Sequence, residues 1–374
     1  MTATITEAEA TEVAGPSKLR DAVIVAAIYL ASIVGALILS ALLVGVTGGS
    51  WRKVFSALID GSVRNDGAWG QTLSGMAPLL IVATGAIVST RAGLVNIGQE
   101  GQLLVGAVFA AYLGNHMSGP GPLVIGCALV FGAFGGALWA GIAAALRFGR
   151  GVPEVLSTLL LVFVAFPLLD YALRYKSLLL DNDPTVKQQL NTGTQLPSDR
   201  RLPRIDFFGN EFHFGVIIAL VVVLLGALVL ARTVWGFRLR MFGLNPRTAQ
   251  RMGVSAVVMG TAALVVSGAL AGLAGGVLLA GTPDYRITVG YSRSFGWNGL
   301  LVALLARNRP LLVIPMAFVF AALRTGSNYL GATGVARDIV DVVQALLVLA
   351  LLIPPAVLFI RDRRRAVAAT SARV

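Results

Sequence analysis

Apolar residues in this chain come in long unbroken runs rather than at the three-to-four-residue spacing of a half-buried helix. Ala22 to Trp51, Gly67 to Thr90, Gly101 to Leu146, Gly215 to Ala231 and Ser255 to Pro283 contain no Asp, Glu, Lys or Arg. A helix on a soluble core needs only one apolar stripe, whereas a helix crossing a bilayer needs about 20 apolar residues in succession. The runs therefore predict spanning helices, one or two to each of the longer runs. Read against the polar stretches between them, they predict ten: near residues 21 to 46, 70 to 90, 93 to 114, 121 to 146, 153 to 173, 213 to 231, 255 to 281, 294 to 306, 310 to 325 and 338 to 360. The fold class this implies is an all-α polytopic membrane protein.

Polar positions break the pattern in three places. The first is "RAGLVNIGQEGQLLVGA", Arg91 to Ala107, which sets Asn96, Gln99, Glu100 and Gln102 among Gly93, Gly98 and Gly101. Glycines lower helix propensity and let the chain unwind, so a discontinuous helix is expected near residues 91 to 102. An ionised Glu100 in mid-membrane costs about 3 kcal/mol on insertion scales, so it must face protein, water or ligand, or be protonated. An unwound segment followed by a helix start would present N–H groups and a positive dipole end to a cavity, which makes these four residues candidates for a substrate path. The alternative is a polar hairpin in which Glu100 meets solvent or Arg91.

The second is "VPEVLSTLLLVF", where Pro153 suits a first helical turn and Glu154, Ser157 and Thr158 share one face. These three are further path candidates, set against an ordinary helix start with Glu near the positive end of the dipole. The third is "TVWGFRLRMFGLNPRTAQRMGVS". Asn245 can cap, Pro246 fits the first helical position, and Arg247 to Met252 can form a short basic helix on the membrane surface, against anionic lipid or a groove on a partner. Glycines spaced by four, Gly132 with Gly136 and Gly268 with Gly272 and Gly276, predict tight helix packing.

Composition agrees with the pattern: 56% of the residues are hydrophobic and 13% charged, against about a quarter charged in soluble domains. The net charge of +12 would suggest nucleic acid in a soluble protein, but here its placement decides. Arg147 and Arg150, Arg232 to Arg251, Arg307 and Arg309, and Arg361 to Arg365 fall on one side of the ten-helix map, whereas the 174 to 212 loop mixes six basic with five acidic residues. Basic residues gather in cytoplasmic loops, so both termini are expected in the cytoplasm. Glu7, Glu9 and Glu12 are the wrong charge for a signal peptide. Residues 1 to 20 are expected to be a disordered cytoplasmic tail, 21 to 360 the transmembrane domain, and 361 to 374 a basic cytoplasmic tail.

Several chemistries are excluded. The lone Cys127 allows no intrachain disulfide, and with only His116 and His213 no His/Cys metal cluster forms. None of the four lysines follows a glycine, so there is no nucleotide-binding P-loop; there is no Gly-x-Ser-x-Gly elbow either. The chain is expected not to be an enzyme and to carry no cofactor.

The segment "GLVNIGQEGQLLVGA" resembles the "GLFNIGAEGQ" signature of permease subunits of bacterial ABC importers for nucleosides and simple sugars, kin of the ribose and branched-chain amino-acid permeases. Three further blocks agree: "PEVLSTLLL"; "GFRLRMFGLNPRTAQRMGVS" continuing into "SGALAGLAGGVLLAG"; and "GWNGLLVALLARNRPLLVIPMAFVFAALRTGS". The resemblance runs from about Ala77 to Ile353. It implies a homodimeric or heterodimeric pore in the cell membrane, separate cytoplasmic ATPases that carry the ATP and Mg, and an extracytoplasmic binding protein. It also implies that Asn245, Pro246, Arg247, Thr248, Ala249, Gln250, Arg251, Met252 and Gly253 form the coupling helix on which the ATPase docks, and that Asn96, Gln99, Glu100 and Gln102 border the path. Val162 stands where family members usually have Asn, and Leu244 where an acidic residue commonly precedes the coupling Asn. The leading expectation is a permease for nucleosides ahead of simple sugars, with amides and aromatics such as Phe295, Trp297 and Asn298 meeting a neutral polar cargo. The rival is a proton-coupled transporter titrating Glu100, Glu154 or Asp170.

Overall fold

The computed structural model describes residues 18 to 46, 50 to 181 and 192 to 330, and scattered helical residues between 342 and 361. Most of the span expected near 338 to 360, and most of both expected tails, lie outside the described residues. The chain divides into two units, one of residues 1–51 with 338–374 and one of Arg52–Arg337. In the first, α1 (Lys18–Val46) realises the first expected span and begins inside the expected tail.

The second unit carries the other elements named here, α2 starting at the boundary residue. Its helices are α2 (Trp51–Ile59), α3 (Ala68–Arg91), α4 (Gln99–His116), α5 (Gly121–Arg150), α6 (Glu154–Ala172), α7 (Gly215–Arg232), α8 (Val234–Leu244), α9 (Pro246–Arg251), α10 (Ala256–Gly281), α11 (Phe295–Leu305) and α12 (Val313–Leu330). Among the described residues, six segments are long and apolar enough to cross a membrane: α3, α5, α6, α7, α10 and Pro310–Ser327. Burial sorts them. Along their most apolar windows α3 is 83% and α10 67% buried, against 28% for α7 and 33% for α6, so α3 and α10 form the core and the other two turn a broad apolar face outward.

Glycine makes that core possible. The Cα of Gly106 on α4 lies against Gly272 of α10, Gly136 of α5 against the Gly268 carbonyl, and Gly272 against the Gly132 carbonyl. A side chain at any of these would overlap backbone, so three helices meet at a separation that only hydrogen side chains permit.

Several expected boundaries need correction. The expected helix at 93 to 114 begins at Gln99, because Gly93 ends α3 in the left-handed region (φ 72°) with Leu94 N–H donating to Ser89 O and Gly93 N–H to Thr90 O. This is a Schellman closure, and it stops α3 seven residues short of α4. The expected helix at 310 to 325 becomes regular only at Val313 and continues to Leu330. Segments between the expected spans hold α2, α8 and a two-stranded antiparallel hairpin, β1 (Arg204–Phe207) with β2 (Asn210–His213), closed by Phe208 and Gly209, both at positive φ. The hairpin lies at one end of the bundle, beside the start of α3 and the end of α10. The opposite end carries Arg91, Arg147, Arg150, Arg232, Arg307 and Arg309 at helix termini.

Candidate functional site

The unwound segment 92 to 98 leads into a buried knot of amides. Asn96 Nδ2 donates to Gln102 Oε1 (2.8 Å) and to Ser267 Oγ of α10 (2.9 Å). Gln102 Nε2 donates back to Asn96 Oδ1 (3.0 Å), which also accepts from Gly98 N–H (3.1 Å). Gln99 Nε2 donates to Val82 O of α3 (3.1 Å) and to Ser267 Oγ (3.2 Å), while Gln99 Oε1 is buried with no partner among the described residues. An unmet buried acceptor costs about 1–3 kcal/mol. Val82 fixes the depth: at ~1.5 Å per residue the knot lies roughly 14 Å from the Arg91 end of α3 and roughly 21 Å from its Ala68 end.

Glu100 is 2% exposed, which rules out for this structure the hairpin in which it meets solvent. Its carboxylate instead accepts from the backbone N–H groups of Ser294 (3.1 Å), Gly296 (2.7 Å) and Trp297 (3.3 Å). A side chain of α4 therefore caps α11, placing a carboxylate on the positive end of a helix dipole. The approach is close enough that Gly296 lies on the Glu100 backbone. At the other end of α11, Arg91 Nη2 donates to Asn308 O (3.1 Å) and Thr90 Oγ1 to Asn308 Oδ1 (2.9 Å). The α3–α4 segment thus holds α11 by both ends. α11 enters from two non-glycine residues in the left-handed region, Arg293 (φ 42°) and Ser294 (φ 64°); such backbone costs about 1–3 kcal/mol per residue and persists only where the surroundings enforce it.

The second expected cluster is less open. The Glu154 carboxylate pairs with Arg147 Nε at 3.1 Å, while the Ser157 and Thr158 hydroxyls donate to the Glu154 carbonyl of their own helix. Thr158 packs on Gly98 and so walls the unwound segment by contact. Trp297 and Asn298 are half-buried on α11.

Phe295 belongs to a second feature, a cavity of about 380 Å³ at the hairpin end, within the usual range of about 300–1,000 Å³ for small-molecule sites. It descends between α3, α10 and α12 to the start of α11. Its upper walls carry Arg204, Glu211, Asp284, Arg286 and Arg293; its depth carries Tyr291, Phe295, Arg324 and Thr325. The charges are paired: Arg204 with Glu211 (3.2 Å), Arg293 with Asp284 (3.9 Å) and Arg286 with Asp181 (3.6 Å). Arg324 stacks over the Phe295 ring at 3.9 Å. Hydrogen bonds from Arg204 to Tyr285 and Glu211 raise the Arg204 pKa above the ordinary guanidinium value. His213, at the end of β2, is buried in the wall with Nε2 donating to Ser74 O (3.2 Å), and burial pushes its imidazole pKa down to about 4.

Sequence reasoning found Phe295 but missed the rest of this cavity. Arg324 was the available signal, since an arginine within an apolar span marks a functional position by default. The other lining residues come from segments far apart in the chain and carry no local pattern.

The short basic helix falls where its caps predict. Asn245 Oδ1 accepts from Thr248 N–H (3.1 Å), Pro246 is the first residue of α9, and Gly253 (φ 81°) closes it with Val254 N–H donating to Ala249 O (3.0 Å). Ala249 is buried, whereas Arg247 and Arg251 are exposed, flanked by Leu244 (82% exposed) and Met252 (71%).

Comparison with known proteins accords with this arrangement. Residues 70–352 match the family described as the permease component of the branched-chain amino acid transport system. The guanosine ABC transporter permease protein NupP of Bacillus subtilis is 31% identical over 86% of this chain and 91% of its own. The nucleoside ABC transporter permease protein NupB of Lactococcus lactis is 30% identical over 75% and 77%, and the glucose ABC transporter permease protein TsgB13 of Haloferax volcanii 31% identical over 74% and 73%. No solved structure matches the chain. With a family match over most of its length, spanning helices and a helix broken at 92 to 98, the chain belongs to the branched-chain amino acid transport permease family and is a multi-pass membrane permease of the ABC type.

Proposed function

We propose that this permease forms the translocation path of an importer whose cargo is a nucleoside, driven by separate ATPase subunits that dock on Asn245 to Gly253. A second permease, identical or related, completes the pore, and an extracytoplasmic binding protein delivers cargo to the hairpin end. Both termini then lie in the cytoplasm with the arginine-rich end, in keeping with the excess of basic residues in cytoplasmic loops. The observation that carries the reading is α9: a capped six-residue helix that exposes Arg247 and Arg251, flanked by the exposed Leu244 and Met252. Two exposed apolar side chains with two guanidinium groups between them suit a partner surface that offers apolar contacts and acidic residues.

The cargo class rests on the two relatives named for guanosine and nucleosides. A simple sugar is the second reading, favoured by the relative named for glucose. Either is neutral and rich in hydroxyls, and the paired guanidinium and carboxylate groups of the cavity offer donors and acceptors without demanding a charged ligand. Of the expected path residues, Gln99 has the most specific support, because its Oε1 lacks a partner among the described residues. Proton coupling is the weaker alternative, since Glu100 is engaged by three N–H donors and Glu154 by Arg147.

In proteoliposomes holding permease, ATPase and binding protein, Arg247→Glu with Arg251→Glu is expected to lower ATP-driven guanosine uptake by roughly tenfold or more while basal ATP hydrolysis persists. Unchanged uptake would remove α9 from the mechanism. Uptake of glucose in preference to guanosine would shift the cargo to the second reading.

A further inference from the structure

We propose that Glu100 is a latch on the floor of the cavity: its carboxylate holds the N-terminus of α11 across the cargo path, and releasing it lets the floor open toward the arginine-rich end. The proposal rests on the transport reading. Four observations converge on it.

First, α11 is too short to span. Its eleven residues cover roughly 16 Å, against about 30 Å of hydrocarbon, so its start lies inside the protein rather than at a membrane surface. Second, that start is where the cavity ends, for Tyr291 and Phe295 line its depth and Gly296 rests on Glu100. A solute descending from the hairpin end therefore meets the first turn of α11. Third, the carboxylate gathers three N–H groups of the turn, which otherwise rests on the stacking of Arg324 over Phe295. Gly296 and Gly299 face Glu100 and Val82 without side chains of their own, so the first turns of α11 can swing past those surfaces about the end held at Asn308 once the cap is withdrawn. The left-handed pair Arg293 and Ser294 favours a different backbone path when that hold is lost.

The fourth observation connects the latch to the far end of the bundle. The Cα of Gly243, at the end of α8, lies against the Arg91 carbonyl, and Gly93 lies in turn against Gly243. α8 runs directly into α9 through Asn245. Displacement of α9 is thereby transmitted backbone to backbone into the segment 92 to 98, whose continuation is Glu100. Gln99, with its unmet acceptor, lies next to the latch, where a hydroxyl or amide of the cargo meets it as the floor opens.

The test uses the assembled transporter in proteoliposomes, with Cys127→Ala removing the single cysteine and Asn298→Cys as a reporter one turn inside α11. A membrane-impermeant maleimide is added from the hairpin side without ATP. Labelling is expected to be slow with Glu100, faster with Glu100→Gln, which keeps one acceptor oxygen, and faster by roughly tenfold or more with Glu100→Ala. Thermal unfolding of each variant identifies any that fails to fold; Glu100→Gln is the conservative member that must still show the intermediate rate. Equal labelling in all three folded proteins overturns the latch. Because the reporter needs no cargo, a latch that opens in a transporter indifferent to nucleosides leaves the proposal standing and removes only the cargo assignment.

Discussion

The amide knot at Asn96 to Gln102 and the cavity at the hairpin end are both polar features inside an apolar bundle, and they solve that problem in opposite ways. In the knot, Asn96 and Gln102 satisfy each other while Asn96 and Gln99 share Ser267, so that apart from Gln99 Oε1 little hydrogen-bonding capacity is left over among the described residues. In the cavity, charged groups are paired loosely, at 3.2 to 3.9 Å, and remain partly open to water. A polar group that stays in a low-dielectric interior must be satisfied there, because an unmet one is expensive; a group that is to exchange partners must not be satisfied too well. On the proposed function, the knot serves as structure and the cavity as the place where partners change. Glu100 and Gln99 sit at the boundary between the two.

That contrast can be broken most forcefully at His213. Its imidazole is buried in the cavity wall with a pKa of about 4, below the ordinary value of 6.5, so folding favours the neutral ring. The contribution is fully present above about pH 6.5, declines as the pH falls from there toward 4, and levels off below. Its size is about 3 kcal/mol at most, at 1.36 kcal/mol per pKa unit. Arg204, which also disfavours the ring's positive charge, lies in the same wall. Thermal unfolding in detergent between pH 7 and 4 is expected to show this loss, with the His213→Gln protein flatter over the same range. Parallel curves for the two proteins would mean that the wall tolerates charge and is more open than the buried ring implies.

A smaller effect is expected in the knot. Asn96→Ala leaves both Gln102 groups and the Gly98 N–H without their partner, a loss of about 2 kcal/mol for buried groups. The paired change Asn96→Leu with Gln102→Leu removes both members and is expected to recover part of that stability, since replacing both partners with apolar groups is nearly neutral. Transport by the double variant then sharpens the contrast: full uptake makes the knot purely architectural, and lost uptake from a stable protein makes it part of the path.

The smallest effect belongs to the cavity rim. Glu211→Ala breaks an exposed pair with Arg204 and is expected to change stability by less than about 1 kcal/mol. The KM for cargo is expected to rise while the unfolding temperature stays put. A large fall in stability with unaltered KM would reverse the roles assigned to the two regions.

Local physics made much of this molecule legible in advance. The helix break at 92 to 98 was readable from Gly93 and Gly98, and α9 from Asn245, Pro246 and Gly253, because helix ends are decided by residues within a turn of them. The hairpin was not readable, since residues 204 to 213 carry only a short and partly exposed alternation. The cavity was legible only at Phe295 and, as a charge within an apolar run, at Arg324.

The sequence by itself determined the spanning helices, the break and the caps, because the transfer of apolar runs out of water and the closing of helix termini depend on neighbours along the chain. Only the tertiary structure decided where Glu100 points and which residues meet at the hairpin end. Its carboxylate finds N–H groups almost two hundred positions away because glycines on α4, α5, α10 and α11 let backbones approach to contact. Which glycine meets which carbonyl is a property of the packed bundle, and no spacing along the chain encodes it.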